Sequence, residues 1–271
     1  MPYSLYPGPR PRIYSPGQLV LLTIIVLLII VSSALLFYSA VNYQIAASNA
    51  SSQAIATAIA RATSFAQATA QVNADRNPYP PYTGNLALND PLNNNSHGYN
   101  WDVYATSMNN NCQFAGRAYQ STSDYASKNL YSGNTCFAEN TDFSNFTFQV
   151  QAILVKGLCG GIAFRGDSKA NNFDRFVICS NAWYDFRQCS SGYCDVVFAN
   201  GLSPAINTAL GTTNTLAVVA NGAVITIYVN GKQIVSATDS GFSQGQIGLV
   251  TSGYNSTLTV ATFRNAEVWT M

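Results

Sequence analysis

The sequence predicts an all-β sandwich carried on a single transmembrane helix and an Ala-rich helical stalk. Three observations predict it. From residue 86 onward, short alternating apolar runs are punctuated by Gly, Asn and Ser turn signals. A charge-free apolar stretch, Leu19–Tyr38, stands near the N-terminus, and all six cysteines come after it.

Taken in order, residues 1–17 (MPYSLYPGPRPRIYSPG) are rich in Pro and Tyr and too short to fold, so a disordered cytoplasmic stub is expected. Residues 18–39 contain the run LVLLTIIVLLIIVSSALLFY, whose 20 residues suffice to cross the roughly 30 Å hydrocarbon core of a bilayer as a helix. Arg10 and Arg12 precede it, and no charged residue follows until Arg61. By the positive-inside rule the N-terminus stays in the cytoplasm and the remainder lies outside, as a type II single-pass membrane protein. The run is longer than the apolar region of a cleaved signal peptide and lacks a clear small-residue exit, which favours an anchor.

Residues 40–74 are dominated by Ala, Ser and Gln, and Ile55, Ile59, Ala62 and Ala66 share one helical face. They read as a stalk continuing the membrane helix. An oligomer through this stalk would have a seam of mostly Ala and Ser, and so be weakly held. Residues 75–85 carry Pro78, Pro80 and Pro81, which force extended geometry and predict a linker.

Residues 86–271 form the sandwich. The expected strands are Phe146–Val155, Gly161–Arg165, Arg175–Cys179, Ala182–Arg187, Val196–Phe198, Leu216–Ala220, Ala223–Val229, Lys232–Ala237, Gln246–Thr251 and Leu258–Val268. The segment LALNDPL is expected to close the sheets at the start. Asn221-Gly222 and Asn230-Gly231 are each expected to close a hairpin through a type I′ turn.

Charge and cysteines bound the function. The net charge is +1 and 9% of residues are charged, against roughly 25% in an ordinary soluble domain. With no basic stripe to neutralise phosphates, a nucleic-acid partner is excluded. Outside the cytoplasm Cys112, Cys136, Cys159, Cys179, Cys189 and Cys194 are disulfide candidates. Six cysteines allow 15 pairings and the sequence alone does not choose. In order of plausibility the expected bonds are Cys189–Cys194, Cys112–Cys136 and Cys159–Cys179. The spacing fits no zinc site, and no metal ligand set is assigned.

The series FSNFTFQVQAILVKGLCGGIAFRGDSKANNFDRFVIC, LAVVANGAVITIYVNGKQIVSATD, GQIGLVTSG and TFRNAEVWTM resembles the concanavalin A-like lectin/glucanase superfamily. Within it the chain is similar to bacterial 3-keto-disaccharide hydrolase-like and family 16 glycoside hydrolase-like domains. The resemblance covers about residues 86–271 and implies a concanavalin A-like jelly-roll β-sandwich. It is specific for fold, because this fold hosts lectins, enzymes and adhesion modules alike.

An enzyme of the glucanase kind would carry E-x-D-x-x-E on one strand, with its carboxylates about 5–5.5 Å apart. The chain has two glutamates, Glu139 and Glu267, and neither sits in that motif. Glu139 and Asp142 read as a pair on a solvated turn, and His97 as a surface histidine, so no catalytic residue is assigned. A sugar site needs an aromatic face and planar polar groups. In AWYDFRQCSSGY, strand alternation puts Trp183, Asp185 and Arg187 on one face and Tyr184 and Phe186 on the other. Arg165, Asp174 and Arg175 are expected to supply hydrogen bonds nearby. These six, Trp183, Asp185, Arg187, Arg165, Asp174 and Arg175, are the carbohydrate-binding candidates.

No cofactor is expected, and calcium has only two weak loops: Asp167, Asn171, Asn172 and Asp174, and Asp90, Asn93 and Asn95. Ordinary turn chemistry accounts for both. The leading expectation is a membrane-tethered lectin-like module binding a glycan or another surface polymer without catalysis. The alternatives are a glycoside hydrolase-type enzyme and a structural or assembly protein.

Overall fold

The structure, a computed structural model, describes residues 15–106, 110–124, 133–253 and 258–271, with side chains throughout except at 70–74. Most of the expected stub therefore lies outside the described residues. The chain divides into two compact units, residues 1–71 and 72–271.

The first unit is built on one unbroken helix, α1 (Pro16–Ala74, 59 residues). Its start is written locally. Ser15 accepts the Gln18 and Leu19 amides on its carbonyl, while the Gln18 side chain reaches back to the Ser15 amide. Pro16 occupies the first helical position, where its missing N–H costs nothing. No Gly or Pro interrupts the chain from Gln18 to Asn77, and Pro78 then disfavours helix for the residue before it. The segment Pro16–Thr69 is long and apolar enough to cross a membrane. In the second half of α1, the hydroxyls of Ser48, Thr57 and Thr63 bond back to the carbonyls of Ile45, Gln53 and Ile59. The helix satisfies these hydroxyls along its own backbone.

The described residues of the second unit hold fifteen strands. They are β1 (Asn85–Asp90), β2 (Tyr104–Ala105), β3 (Asn111–Ala115), β4 (Ala118–Ser123), β5 (Gly133–Phe137), β6 (Phe146–Lys156), β7 (Cys159–Asp167), β8 (Asn172–Cys179), β9 (Trp183–Ser190), β10 (Tyr193–Leu202), β11 (Thr213–Asn221), β12 (Val224–Val229), β13 (Lys232–Thr238), β14 (Gln246–Ser252) and β15 (Thr259–Thr270). The larger sheet runs β13-β12-β11-β6-β15-β4-β3-β2, with β1 also paired to β15, and the smaller runs β10-β9-β8-β7-β14-β5. The core lies between them. Phe146, Phe148, Leu216, Val218, Ile225 and Ile227 of one sheet pack with Ile162, Phe164, Phe176, Phe186, Ile247 and Leu249 of the other.

The two Asn-Gly pairs close their hairpins differently. Val229 pairs with Lys232, leaving Asn230 and Gly231 in the loop at φ 52° and 74°, as a type I′ turn requires. Asn221 instead pairs with Val224, so the loop is Gly222-Ala223 and only Gly222 has positive φ, at 56°. That is the pattern of a type II′ turn. The register, set one residue later than expected, moves Asn221 into the strand.

All three expected disulfides are present. Cys112–Cys136 joins β3 of the larger sheet to β5 of the smaller, Cys159–Cys179 links directly paired residues of β7 and β8, and Cys189–Cys194 closes the β9–β10 hairpin.

The Pro-rich segment 75–85 packs onto the outer face of the larger sheet. Tyr79 is buried against Tyr228, ring centroids 4.9 Å apart, and its hydroxyl donates to Gln149 Oε1 at 2.7 Å. Asn77 donates to Thr147 Oγ1 at 3.0 Å, and Trp269 Nε1 donates to the Asp75 carbonyl at 2.7 Å. The segment expected as a linker is thus a strap over one sheet. It lies over that face, while two depressions open on the outer face of the other sheet.

Candidate functional site

Alternation along β8 and β9 builds that outer face. Phe176, Ile178 and Phe186 point inward into the core, so Arg175, Val177, Trp183, Asp185 and Arg187 point outward. Arg175 and Arg187 are cross-strand partners. Two like charges in that relation repel, and Asp185 resolves the conflict. Arg175 Nη2 donates to Asp185 Oδ2 at 2.8 Å, and Arg187 Nε donates to both oxygens of the same carboxylate at 2.8 Å. Arg187 Nη1 also donates to the Cys194 carbonyl at 3.2 Å, so the Cys189–Cys194 hairpin holds the guanidinium in place.

These residues border a cavity of about 240 Å³ whose floor includes Val177 and the Cys159–Cys179 bridge. Trp183, 39% exposed, stands at its rim. Arg175 also borders a second cavity of about 530 Å³, lined by Asp102, Tyr104, Phe137, Glu139, Lys169 and Phe173 among others. Phe137 and Phe173 meet edge to face, centroids 5.7 Å apart. The wall near Gly192 depends on a left-handed turn. Gly192 has φ 82°, donates its amide to the Asn171 carbonyl at 2.9 Å, and would meet the Asn171 side chain if it carried a Cβ.

Within the larger cavity Asp102 Oδ2 accepts the Phe137 amide at 2.8 Å. Burial raises the Asp102 carboxyl above its usual range, the Glu139 charge adds to this, and the Phe137 amide opposes it. Glu139 Oε2 accepts from Ser168 Oγ and Gln246 Nε2, both at 3.1 Å. The Tyr104 phenol is pushed up to about 12 by burial and by Asp102, so it remains a neutral hydroxyl. It donates to Asn134 Oδ1 at 2.7 Å.

The six candidates divide. Trp183, Asp185, Arg187 and Arg175 come together around the smaller cavity. Arg165 and Asp174 do not join them, which corrects their expected placement beside that group. Asp174 has the opposite strand parity to Arg175 and points inward, fully buried. Arg165 sits at φ 50° in a bulge of β7 that carries its side chain away from the outer face. Its guanidinium donates to the carbonyls of Phe242, Ser144 and Gly222.

Glu139 also departs from expectation. It lines the cavity with Ser168, while Asp142 accepts from Gln244 beside a separate shallow depression. Glu267 is on the larger sheet under the strap, bonded by Gln149 Nε2 at 2.9 Å. The two glutamates cannot act as a pair. Asp102 and Tyr104 carry no local motif, and only the folding of β2 toward β5 brings them to the groove.

The candidate calcium loops serve turns. Asp167 Oδ1 accepts the Lys169 and Ala170 amides, and Asn172 Oδ1 accepts the Ser191 amide. Asp90 accepts the Leu92 amide and Trp101 Nε1. Among the described residues no three His, Cys, Asp or Glu side chains are grouped as metal ligands.

Among solved structures, the carbohydrate binding module CBM66 from Bacillus subtilis is 22% identical, matching 63% of this chain and 95% of its own with a TM-score of 0.51. A Bacillus subtilis protein with a galectin-like fold is 13% identical over 68% of this chain and 95% of its own, with a TM-score of 0.52. Both likenesses concern the fold. A comparison with curated proteins returns no match. Residues 90–269 match one family over most of the sandwich, and the chain belongs to it: the family of 3-keto-alpha-glucoside-1,2-lyase-like domains.

Proposed function

We propose that this protein is a membrane-anchored, extracytoplasmic carbohydrate-binding module that holds a glycan along the outer face of its smaller sheet. The observation that carries the reading is the pair of cavities meeting at Arg175, with Trp183 at one end and Phe137, Phe173 and Tyr104 at the other. Aromatic faces suit the apolar side of a sugar ring, and buried planar polar groups suit its hydroxyls. The apolar part of α1 supports a single-pass anchor, and three disulfides support an oxidising compartment. The test is retention of the full chain, in detergent micelles, on immobilised polysaccharides. Retention lost on Trp183→Ala supports the reading, and no retention on any polymer overturns it.

A second reading is favoured by one observation: Asp102, with its raised pKa, shares the larger cavity with Glu139. Two carboxyl groups facing one cavity can divide the acid and base roles, burial favours the acid role for Asp102 by raising its pKa, and the family description points to oxidised glucosides. Incubation with 3-keto-disaccharides decides it. Cleavage abolished by Asp102→Asn supports an enzyme, and intact substrate dismisses it.

A further inference from the structure

The outer face of the smaller sheet carries an apolar cluster of its own, apart from the sandwich core. Cys159, Phe173, Val177, Cys179 and Val250 are buried together there, with Leu158 packed against them. The smaller cavity opens onto part of it: Leu158, Val177 and the Cys159–Cys179 bridge make the floor, and the Trp183 indole stands at the rim. Leu202, the cross-strand partner of Trp183, is exposed on the same face and carries the apolar surface to the sheet edge. The charged groups beside this floor are engaged with protein atoms. Asp185 accepts from both Arg175 and Arg187, and Arg187 Nη1 donates to the Cys194 carbonyl. At the mouth, Asn181 Oδ1 accepts the Trp183 amide. A ligand group that reaches the floor therefore meets carbon and sulfur. A hydroxyl placed there gives up its water without gaining a partner, whereas a methyl gains burial.

We infer that the Trp183 end of the groove selects a sugar ring bearing a methyl group, a 6-deoxyhexose or an N-acetylhexosamine, whose methyl rests on Val177 and the Cys159–Cys179 bridge while the ring lies against Trp183. The assignment rests on the outer face being a glycan site and adds which ring occupies the smaller cavity. At about 240 Å³, that cavity is below the roughly 300–1,000 Å³ of pockets that enclose a drug-sized ligand. It holds one ring with its substituent, and the ring's hydroxyls stay at the open side, in water or beside Asn181.

The experiment measures binding of the full-length protein, in detergent micelles, to matched sugars displayed on polyacrylamide: L-fucose against L-galactose, L-rhamnose against L-mannose, and N-acetylglucosamine against N-formylglucosamine. In the first two pairs a methyl replaces a hydroxymethyl, and in the third a hydrogen replaces the methyl. Binding at least about fourfold tighter to the methyl-bearing member of one or more pairs is expected from burying one methyl, and the unpaired hydroxyl adds to it in the first two. The pair that shows the preference identifies the deoxy or the N-acetyl source. Val177→Thr, which puts a hydroxyl into the floor at nearly unchanged volume, should bring the members of that pair within about twofold of each other. The pairs are read on the unaltered protein, so a variant that fails to fold leaves the test intact. Equal binding within every pair overturns the methyl assignment and leaves the glycan reading standing, as does retention on polysaccharides with none on the conjugates. No retention on any conjugate or polysaccharide overturns both.

Discussion

Asp174 and Asp239 meet inside the sandwich, and as two carboxylates they would leave both oxygens of Asp174 and Oδ2 of Asp239 buried without a hydrogen-bond donor. One proton shared between them relieves the repulsion and pairs one oxygen of each. Burial, then the hydrogen bond and charge of Asp239, push the Asp174 carboxyl up to about 9, so at neutral pH it is the donor of the pair. Arg165 Nη1 lies 3.7 Å from Asp239 Oδ2. The Asp239 Oδ1 atom accepts the Gly241 amide at 2.8 Å and Gln188 Nε2 at 3.2 Å, which ties the loop after β13 to β9.

Stability should therefore fall as pH rises. The folded chain keeps a proton that the unfolded chain loses near 3.8, so the contribution of Asp174 is complete below that value and lost through about 9. Between them the slope for this group approaches ~1.4 kcal/mol per pH unit. Asp174→Asn, whose amide can still donate to Asp239, should flatten the slope in urea melts between pH 5 and 9. An unchanged slope would refute the shared proton.

Trp183→Ala should weaken glycan retention about tenfold and shift folding stability by less than about 1 kcal/mol, since the indole is at the rim rather than in the core. Isothermal titration and thermal melts of the same preparation separate the two effects.

Replacing Cys112 and Cys136 together by Ala should cost about 3 kcal/mol, by the loop-closure relation for a separation of 24 residues. This bond joins the two sheets across their edge. The loss should appear in the denaturation midpoint of the sandwich.

Tyr79→Ala should destabilise the sandwich by about 2–4 kcal/mol, through the lost contact with Tyr228 and the hydrogen bond to Gln149. A free linker would tolerate the change without effect, so chemical denaturation distinguishes a strap from a tether.

The chain should remain in the membrane pellet after an alkaline carbonate wash, and protease added to intact cells should cleave the portion after α1. Release by carbonate would remove the anchor from the proposal.

Much of this was legible locally. The Val224–Val229 strand, with its period of two between turn signals, needs only its neighbours to be recognised. The same holds for α1, whose long apolar run carries no Gly or Pro after Gly17 to break a helix. The parity of Trp183, Asp185 and Arg187 follows from strand geometry. The strands β2 to β5 were not legible. Polar Ser121 and Ser123 at fully buried positions blur the alternation of β4, and the β3–β4 turn uses Gly116-Arg117, both at positive φ, where no Asn-Gly signals it.

The sequence by itself determined the long apolar helix, the β-rich module and its cysteine chemistry, because each rests on composition or on interactions among residues close in the chain. Only the tertiary structure decided which face stays open, because that depends on residues 75–85 returning to cover Trp269 and Tyr228. It also decided where the charges fall. A single bulge at Arg165 and the parity of Asp174 sent two candidates into the interior, and the long-range pairing of β5 with β14 brought Glu139 to the groove. Burial and partnership are set by contacts far apart in sequence, and strand periodicity carries only the side of the sheet.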